Sequence, residues 1–276
     1  MIAEQGKTGI TMRESSREHR DETGYYRKIA MNLTTCGKTL TCGRPNNEDA
    51  FDMQQVNDHL AFFAVADGLG GHPAGEVASR IAITALVDTV RTLASANRSF
   101  SPAQMQEILS FGFLSASRSI GDDCSHNPDH AGMGTTLLAA LINDTFDVVV
   151  ANVGDSRAYC ASDKLNRITN DHSLVQELVE RGLITKEAAR LHPDKNVVTR
   201  IISDIPVNPD FAVLQLKKNT LLLCTDGLTD ALSDEEIFVA MKNPDVPQIC
   251  TNLIERSRRI NRDNTTIIVV RAPERS

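Results

Sequence analysis

Leu137-Leu138-Ala139-Ala140-Leu141-Ile142 and Phe146-Asp147-Val148-Val149-Val150-Ala151-Asn152-Val153 are two apolar runs separated only by Asn143-Asp144-Thr145. So short a polar connection makes the two strands an antiparallel hairpin, because a parallel pair needs a crossover of about a dozen residues or more. Working outward, the first run extends back to Thr135. Further strand-like runs occupy residues 29–35, 50–56, 60–66, 158–161, 211–216, 220–224 and 265–271. They are short and turn-bounded, as strands in packed sheets are.

Helical patterns lie between them. Pro73 opens one, with Val77, Ile81, Ala85, Val90 and Leu93 as its apolar stripe. Ser101-Pro102 with Gln104 makes a capping box for the next, and Met105, Ile108, Leu109 and Gly112 share one of its faces. Ser173 with Gln176 caps a third that Gly182 stops, Ser233 with Glu236 caps a fourth, and residues 247–259 form a fifth. Strands, two long helices, strands, short helices, strands, two helices and a last strand do not alternate as βαβ units do. The order predicts an α+β chain of antiparallel sheets packed together with helices outside.

The chain has 276 residues, of which 41% are hydrophobic and 24% charged, and a net charge of -7. That composition is globular and excludes a wholly disordered chain, a collagenous one and a small disulfide scaffold. The acidity argues against a nucleic-acid partner, and no apolar run is long enough to cross a bilayer. Cys36, Cys42, Cys124, Cys160, Cys224 and Cys250 form no C-x-x-C pair and read as small hydrophobes in a reducing compartment. Residues 1–27 are polar, lack the apolar core of a secretory signal, and read as a disordered extension of a cytoplasmic protein. Residues 28–276 read as one domain. Within it, residues 171–200 are polar and short-helical, as expected of an inserted flap.

Carboxylates fall at the ends of the strand-like runs. Glu48 and Asp49 lead into residues 50–56, Asp67 follows 60–66 and precedes Gly68, and Asp155 follows Val153-Gly154. Asp226 follows 220–224, and Asp263 precedes the last strand. A carboxylate at the mouth of a buried strand is costly unless a cation or donor meets it. Each acid alone could be a turn or cap residue. As a set they suit hard cations, Mg²⁺ or Mn²⁺, which favour oxygen ligands and keep several waters.

Read together, these stretches resemble the metal-dependent protein serine/threonine phosphatases of the protein phosphatase 2C (PPM) family, bacterial type. The resemblance spans residues 29–272. It runs through Arg44-Pro45-Asn46-Asn47-Glu48-Asp49, Asp67-Gly68-Leu69-Gly70-Gly71-His72, Gly132-Met133-Gly134-Thr135-Thr136, Gly154-Asp155-Ser156-Arg157, Thr225-Asp226-Gly227 and Asp263-Asn264. It implies a four-layer α-β-β-α sandwich and two Mn²⁺ or Mg²⁺ ions whose bridging water attacks phosphorus in line. In that scheme Asp67 bridges the metals, the Gly68 carbonyl binds one, and Asp226 and Asp263 hold the second. Glu48 and Asp49 support the site through waters, and Asp155 with Asp226 makes a third metal site. Arg44 grips the phosphate, a role suited to its planar fork. The implied substrates are phosphorylated Ser/Thr proteins made by a cognate kinase, acted on by a monomer. A catalytically silent, phosphoprotein-binding relative is the alternative; the presence of every carboxylate favours activity.

The chain departs from the pattern in two places. Leu69 stands where many relatives carry histidine, which leaves the general acid unassigned and His72 structural. Residues 199–206 lack the glycine usual after Thr199-Arg200. Cys250 to Arg256 fits C-x5-R, but Ile249, Leu253 and Ile254 make a helical stripe there instead of a backbone phosphate cradle. No P-loop or G-x-S-x-G elbow is present.

Overall fold

A computed structural model describes residues 19–21, 24–28, 31–70, 74–96 and 99–273. Its strands are numbered in chain order. A seven-stranded sheet has the order β1 (His19–Asp21), β2 (Gly24–Lys28), β3 (Thr34–Leu40), β12 (Thr265–Arg271), β11 (Thr220–Cys224), β8 (Arg157–Ala161), β9 (Leu165–Arg167). A five-stranded sheet has the order β10 (Asp210–Gln215), β7 (Asp147–Val153), β6 (Leu137–Asn143), β5 (Leu60–Asp67), β4 (Asp49–Asn57). Every pairing is antiparallel.

The β6–β7 hairpin is fixed by one side chain. Asn143 Oδ1 accepts hydrogen bonds from the Thr145 N–H, the Thr145 hydroxyl and the Asp147 N–H, at 2.8–3.1 Å. Asparagine closes turns in this way. Phe146, expected at the start of the strand, sits in the turn at φ 63° with its ring buried.

Three apolar layers make the sandwich. β5 serves two of them, because successive side chains point to opposite faces. Leu60, Phe62, Ala64 and Ala66 face the helices α1 (Gly75–Ala94) and α2 (Pro102–His126), while Ala61, Phe63 and Val65 face the other sheet. On the far side, α5 (Asp226–Ala231), α6 (Asp234–Met241) and α7 (Val246–Ile260) cover the seven-stranded sheet through Leu228, Ile237, Ile249, Leu253 and Ile254. The expected α-β-β-α architecture is the observed one. The capping boxes at Ser101 and Ser233 form, and Ser173 caps α3 (Leu174–Glu180).

Three expectations need correction. The face of α1 that enters the core is Ala78, Ala82, Leu86 and Val90, with Ile83 and Val87. Val77, Ile81 and Ala85 lie at its margin and Leu93 is exposed, since small alanines allow the closer approach. The first internal strand is not 29–35: Asn32 takes a left-handed φ of 59°, which breaks extension, and β3 starts at Thr34. The extension expected to be disordered contains β1 and β2, with Gly24 opposite Lys38 and Lys28 opposite Thr34. Aromatic residues such as Tyr25-Tyr26 favour strands, and β2 covers what would otherwise be an open edge of β3. Residues 1–18, Ile29, Ala30, His72 and Pro73 lie outside the described residues. Among those described, no helix is long and apolar enough to cross a membrane.

Candidate metal centre

The strand-end carboxylates are delivered to one end of the sandwich from both sheets. Asp49 opens β4 directly opposite Asp67, which closes β5. The Asp67 backbone is pinned by its neighbours. Its N–H donates to Thr136 Oγ1 at 3.0 Å, and its carbonyl accepts from the Thr135 hydroxyl and the Thr136 N–H, both at 2.8 Å. A Cβ on Gly68 would lie 2.2 Å from the Gly75 carbonyl oxygen, so only glycine fits there.

From the other sheet, Asp226 begins α5 immediately after β11, and Asp263 lies just before β12. The two halves are tied across the sandwich. Thr225 Oγ1 donates to Asp49 Oδ2 at 2.9 Å, and the Glu48 N–H donates to Asn264 Oδ1 at 2.8 Å. Asn264 Nδ2 also donates to the carbonyls of Thr41 and Asn46, holding the Arg44 loop against the Asp263 segment. Arg44 donates to Asp263 Oδ2 at 2.8 Å. Asp155 is buried in the turn after β7, where the Gly154 N–H donates to His172 Nδ1 at 3.0 Å.

The electrostatics of this cluster are unfavourable without a cation. Burial, followed by the charges of Asp49, Asp226 and Asp155, pushes Asp67 well above the usual carboxylate range. Burial and then Asp226 and Asp171 do the same to Asp155. Burial raises Asp49 to about 7, against hydrogen bonds from Thr266 and Thr225. Burial, Asp230 and Asp263 raise Asp226 to about 6. Glu48 is raised by burial. Asp226 is among the charges that raise Asp67, so the two carboxylates oppose each other's ionisation.

The residues fit divalent cations. Asp49 Oδ1 is buried with no hydrogen-bond partner, an acceptor that needs an ion or its water. The donors are all oxygen. Among the described residues no three His, Cys, Asp or Glu side chains form an unaided cage. All-oxygen donors suit a hydrated Mg²⁺ or Mn²⁺, which takes one or two carboxylates and keeps its waters.

The region expected as a flap carries α3 and α4 (Lys186–Arg190). Its root is not polar surface: Asp171 and His172 are buried. Asp171 pairs with Arg157 at 2.6 Å and Arg167 at 2.5 Å, and His172 faces Asp210 and Arg200. Farther along, Lys195 pairs with Asp230 on α5, and Arg190 reaches the Thr229 carbonyl at 3.5 Å. This segment therefore rests on the helix that carries Asp226. Thr225, Thr136 and Asn264 escaped the reading of the sequence as site residues. Their only local signal is adjacency to Asp226, to Gly134-Thr135 and to Asp263.

The family model for protein phosphatase 2C matches residues 41–248. The chain belongs to the protein phosphatase 2C family. It is 35% identical over 229 residues to the serine/threonine protein phosphatase PstP of Mycobacterium tuberculosis, covering 82% of this chain and 42% of the relative. It thus spans less than half of that relative's length. It is 36% identical over 203 residues to the serine/threonine phosphatase stp of Listeria innocua, covering 72% of this chain and 79% of the relative. A crystal structure of the PstP catalytic domain in complex with two manganese ions superposes with a TM-score of 0.73 at 32% identity, covering 87% of this chain and 97% of that one.

For this member of the protein phosphatase 2C family, the raised carboxyls make a pH prediction. Asp49 and Asp226 hold protons in the folded, metal-free state at pH values where the unfolded chain has lost them. Their contribution to stability is present below about pH 4, the ordinary carboxylate value, and is lost as pH rises through about 6 to 7. In EDTA, the melting temperature at pH 5.5 should exceed that at pH 8, and saturating Mn²⁺ should shrink the difference. A metal-free profile that rises with pH, or that Asp49→Asn leaves unaltered, would contradict this origin.

Proposed function

We propose that the chain is a divalent-metal-dependent protein serine/threonine phosphatase that hydrolyses phosphomonoesters at a binuclear Mn²⁺ or Mg²⁺ centre. The observation that carries this is the convergence of Asp49 and Asp67 from one sheet with Asp226 and Asp263 from the other, around a buried carboxylate oxygen without a partner. Bound cations would cancel the field of these carboxylates and supply an activated water.

Asp67 and the Gly68 carbonyl would hold the first ion, Asp67, Asp226 and Asp263 the second, and Glu48 and Asp49 their waters. Asp155 with Asp226 would hold a third. Arg44, whose fork meets Asp263 here, would turn to the substrate's phosphate oxygens and fix the phosphorus for in-line attack. With Leu69 after Gly68 in place of histidine, the proton for the leaving oxygen would come from water. The substrates would be phosphoserine and phosphothreonine proteins produced by a cognate kinase in the cytoplasm. Residues 28–276 would act as one monomeric domain, with the flap over 171–200 selecting among those proteins.

The test is hydrolysis of a small aryl phosphate. Turnover should require Mn²⁺ or Mg²⁺, vanish in EDTA and return on readdition of metal. Metal-independent turnover would overturn the reading, and metal binding without turnover would make the chain a silent relative.

A further inference from the structure

Arginines from two distant parts of the chain, Arg44 in one and Arg258 and Arg262 in the other, lie beside the carboxylate cluster. Arg44 lies in the loop of residues 41–46. Across from it, Arg262 is exposed just after α7, and a Cβ built on Gly43 would lie 3.9 Å from Arg262 Cβ. Arg258, on the last turn of α7, is exposed, and its neighbour Ser257 shares Thr265 Oγ1 with Cys42, at 3.0 and 3.6 Å. The juxtaposition is held by several contacts. Asn264 binds the carbonyls of Thr41 and Asn46, and Cys42 Sγ meets Thr265 Oγ1 at 3.6 Å. Asn261 Nδ2 anchors the end of α7 to the Gly227 carbonyl at 2.9 Å.

The charges are not consumed internally. Arg258 has only a long contact to Glu255, 3.8 Å between two exposed groups, and an ion pair of that kind contributes little. Among the described residues Arg262 has no ion-pair partner. In a chain of net charge -7, two such arginines next to the phosphate-binding arginine make a local basic rim. A guanidinium rim recognises carboxylates by charge-assisted hydrogen bonds and raises the local concentration of anionic ligands.

We propose that Arg258 and Arg262 are specificity-determining residues, which bind Asp or Glu side chains flanking the phosphorylated residue of a peptide substrate. This rests on the phosphatase reading and adds an acidic-flank preference to it.

The experiment compares two phosphothreonine peptides, one flanked by Asp and Glu and one by Asn and Gln, with a small aryl phosphate as reference. The wild-type protein with Mn²⁺ should show a KM about fivefold lower for the acidic peptide at low salt, with kcat unchanged, and the gap should close at high salt. The Arg258→Gln/Arg262→Gln variant should lose the preference and hydrolyse the aryl phosphate like the wild type. Equal KM values in the wild type, or a preference that survives in the double variant, would overturn the inference while leaving the phosphatase reading standing. If the aryl phosphate is not hydrolysed, that reading falls, and fluorescence anisotropy of the same two peptides on the Mn²⁺-loaded protein still decides whether the arginines discriminate.

Discussion

Asp226→Asn is expected to lower metal-supported hydrolysis of an aryl phosphate by about 10²–10³-fold, while raising the melting temperature of the metal-free protein. The two effects have one cause. Asp226 takes its negative charge into a place where burial, Asp230 and Asp263 oppose it. At pH 7.5 the metal-free wild type carries that repulsion. An amide of the same shape removes that repulsion, a gain on the order of 1–2 kcal/mol. The same amide gives a divalent cation a neutral ligand in place of an anionic one. Activity should therefore fall, with Mn²⁺ affinity in calorimetry weakened in parallel. Full activity, or a metal-free melting temperature that drops, would contradict the assignment of Asp226 as a ligand held in store for a cation.

Gly227→Ala should destabilise the fold by about 3 kcal/mol. The added methyl would sit 2.0 Å from the Asn264 carbonyl oxygen and 2.7 Å from Thr265 Oγ1. The first obstacle is backbone at the entrance to β12, so a change of rotamer cannot relieve it. Nor can Gly227 easily retreat, because its own carbonyl accepts from Ser257 Oγ at 3.1 Å and Asn261 Nδ2 at 2.9 Å. The midpoint of urea unfolding should fall with little change in slope. A midpoint within experimental error of the wild type would mean that α5 and β12 can separate at no cost.

The parts of this protein that could be read from its sequence are those whose cause is local. Asn143 writes the β6–β7 hairpin within a few residues, and the caps at Ser101 and Ser233 lie within one turn of the helices they start. Asp67 and Asp226 could be singled out because each ends a run that must be buried. What could not be read is set by tertiary approach. Thr225 matters because Asp49, 176 positions away, needs its hydroxyl. The buried face of α1 is not legible locally, because its alanines match the approach of α2 and not the largest local hydrophobicity. β2 pairs only because β3 offers it an edge. The nearness of Arg258 and Arg262 to Arg44 follows from how Asn264 ties two loops together, which no motif records.

The place of β12 in its sheet has a consequence for how the chain is made. β12 separates β3 from β11, so among the described strands an early one, β3, joins β11, β8 and β9 only through a late one. Thr39 and Thr266 meet across that pairing from 227 positions apart. By contrast α1, α2 and the strands β4 to β7 all fall within residues 49–153 and can assemble as soon as they leave the ribosome. At about 5–20 residues per second, β3 then waits roughly ten seconds or more for its neighbour. Asp263 emerges with that neighbour, and Asp226 is fixed by it. On the proposed reading, a ribosome-stalled chain ending before residue 263 would be folded on one side and would lack phosphatase activity.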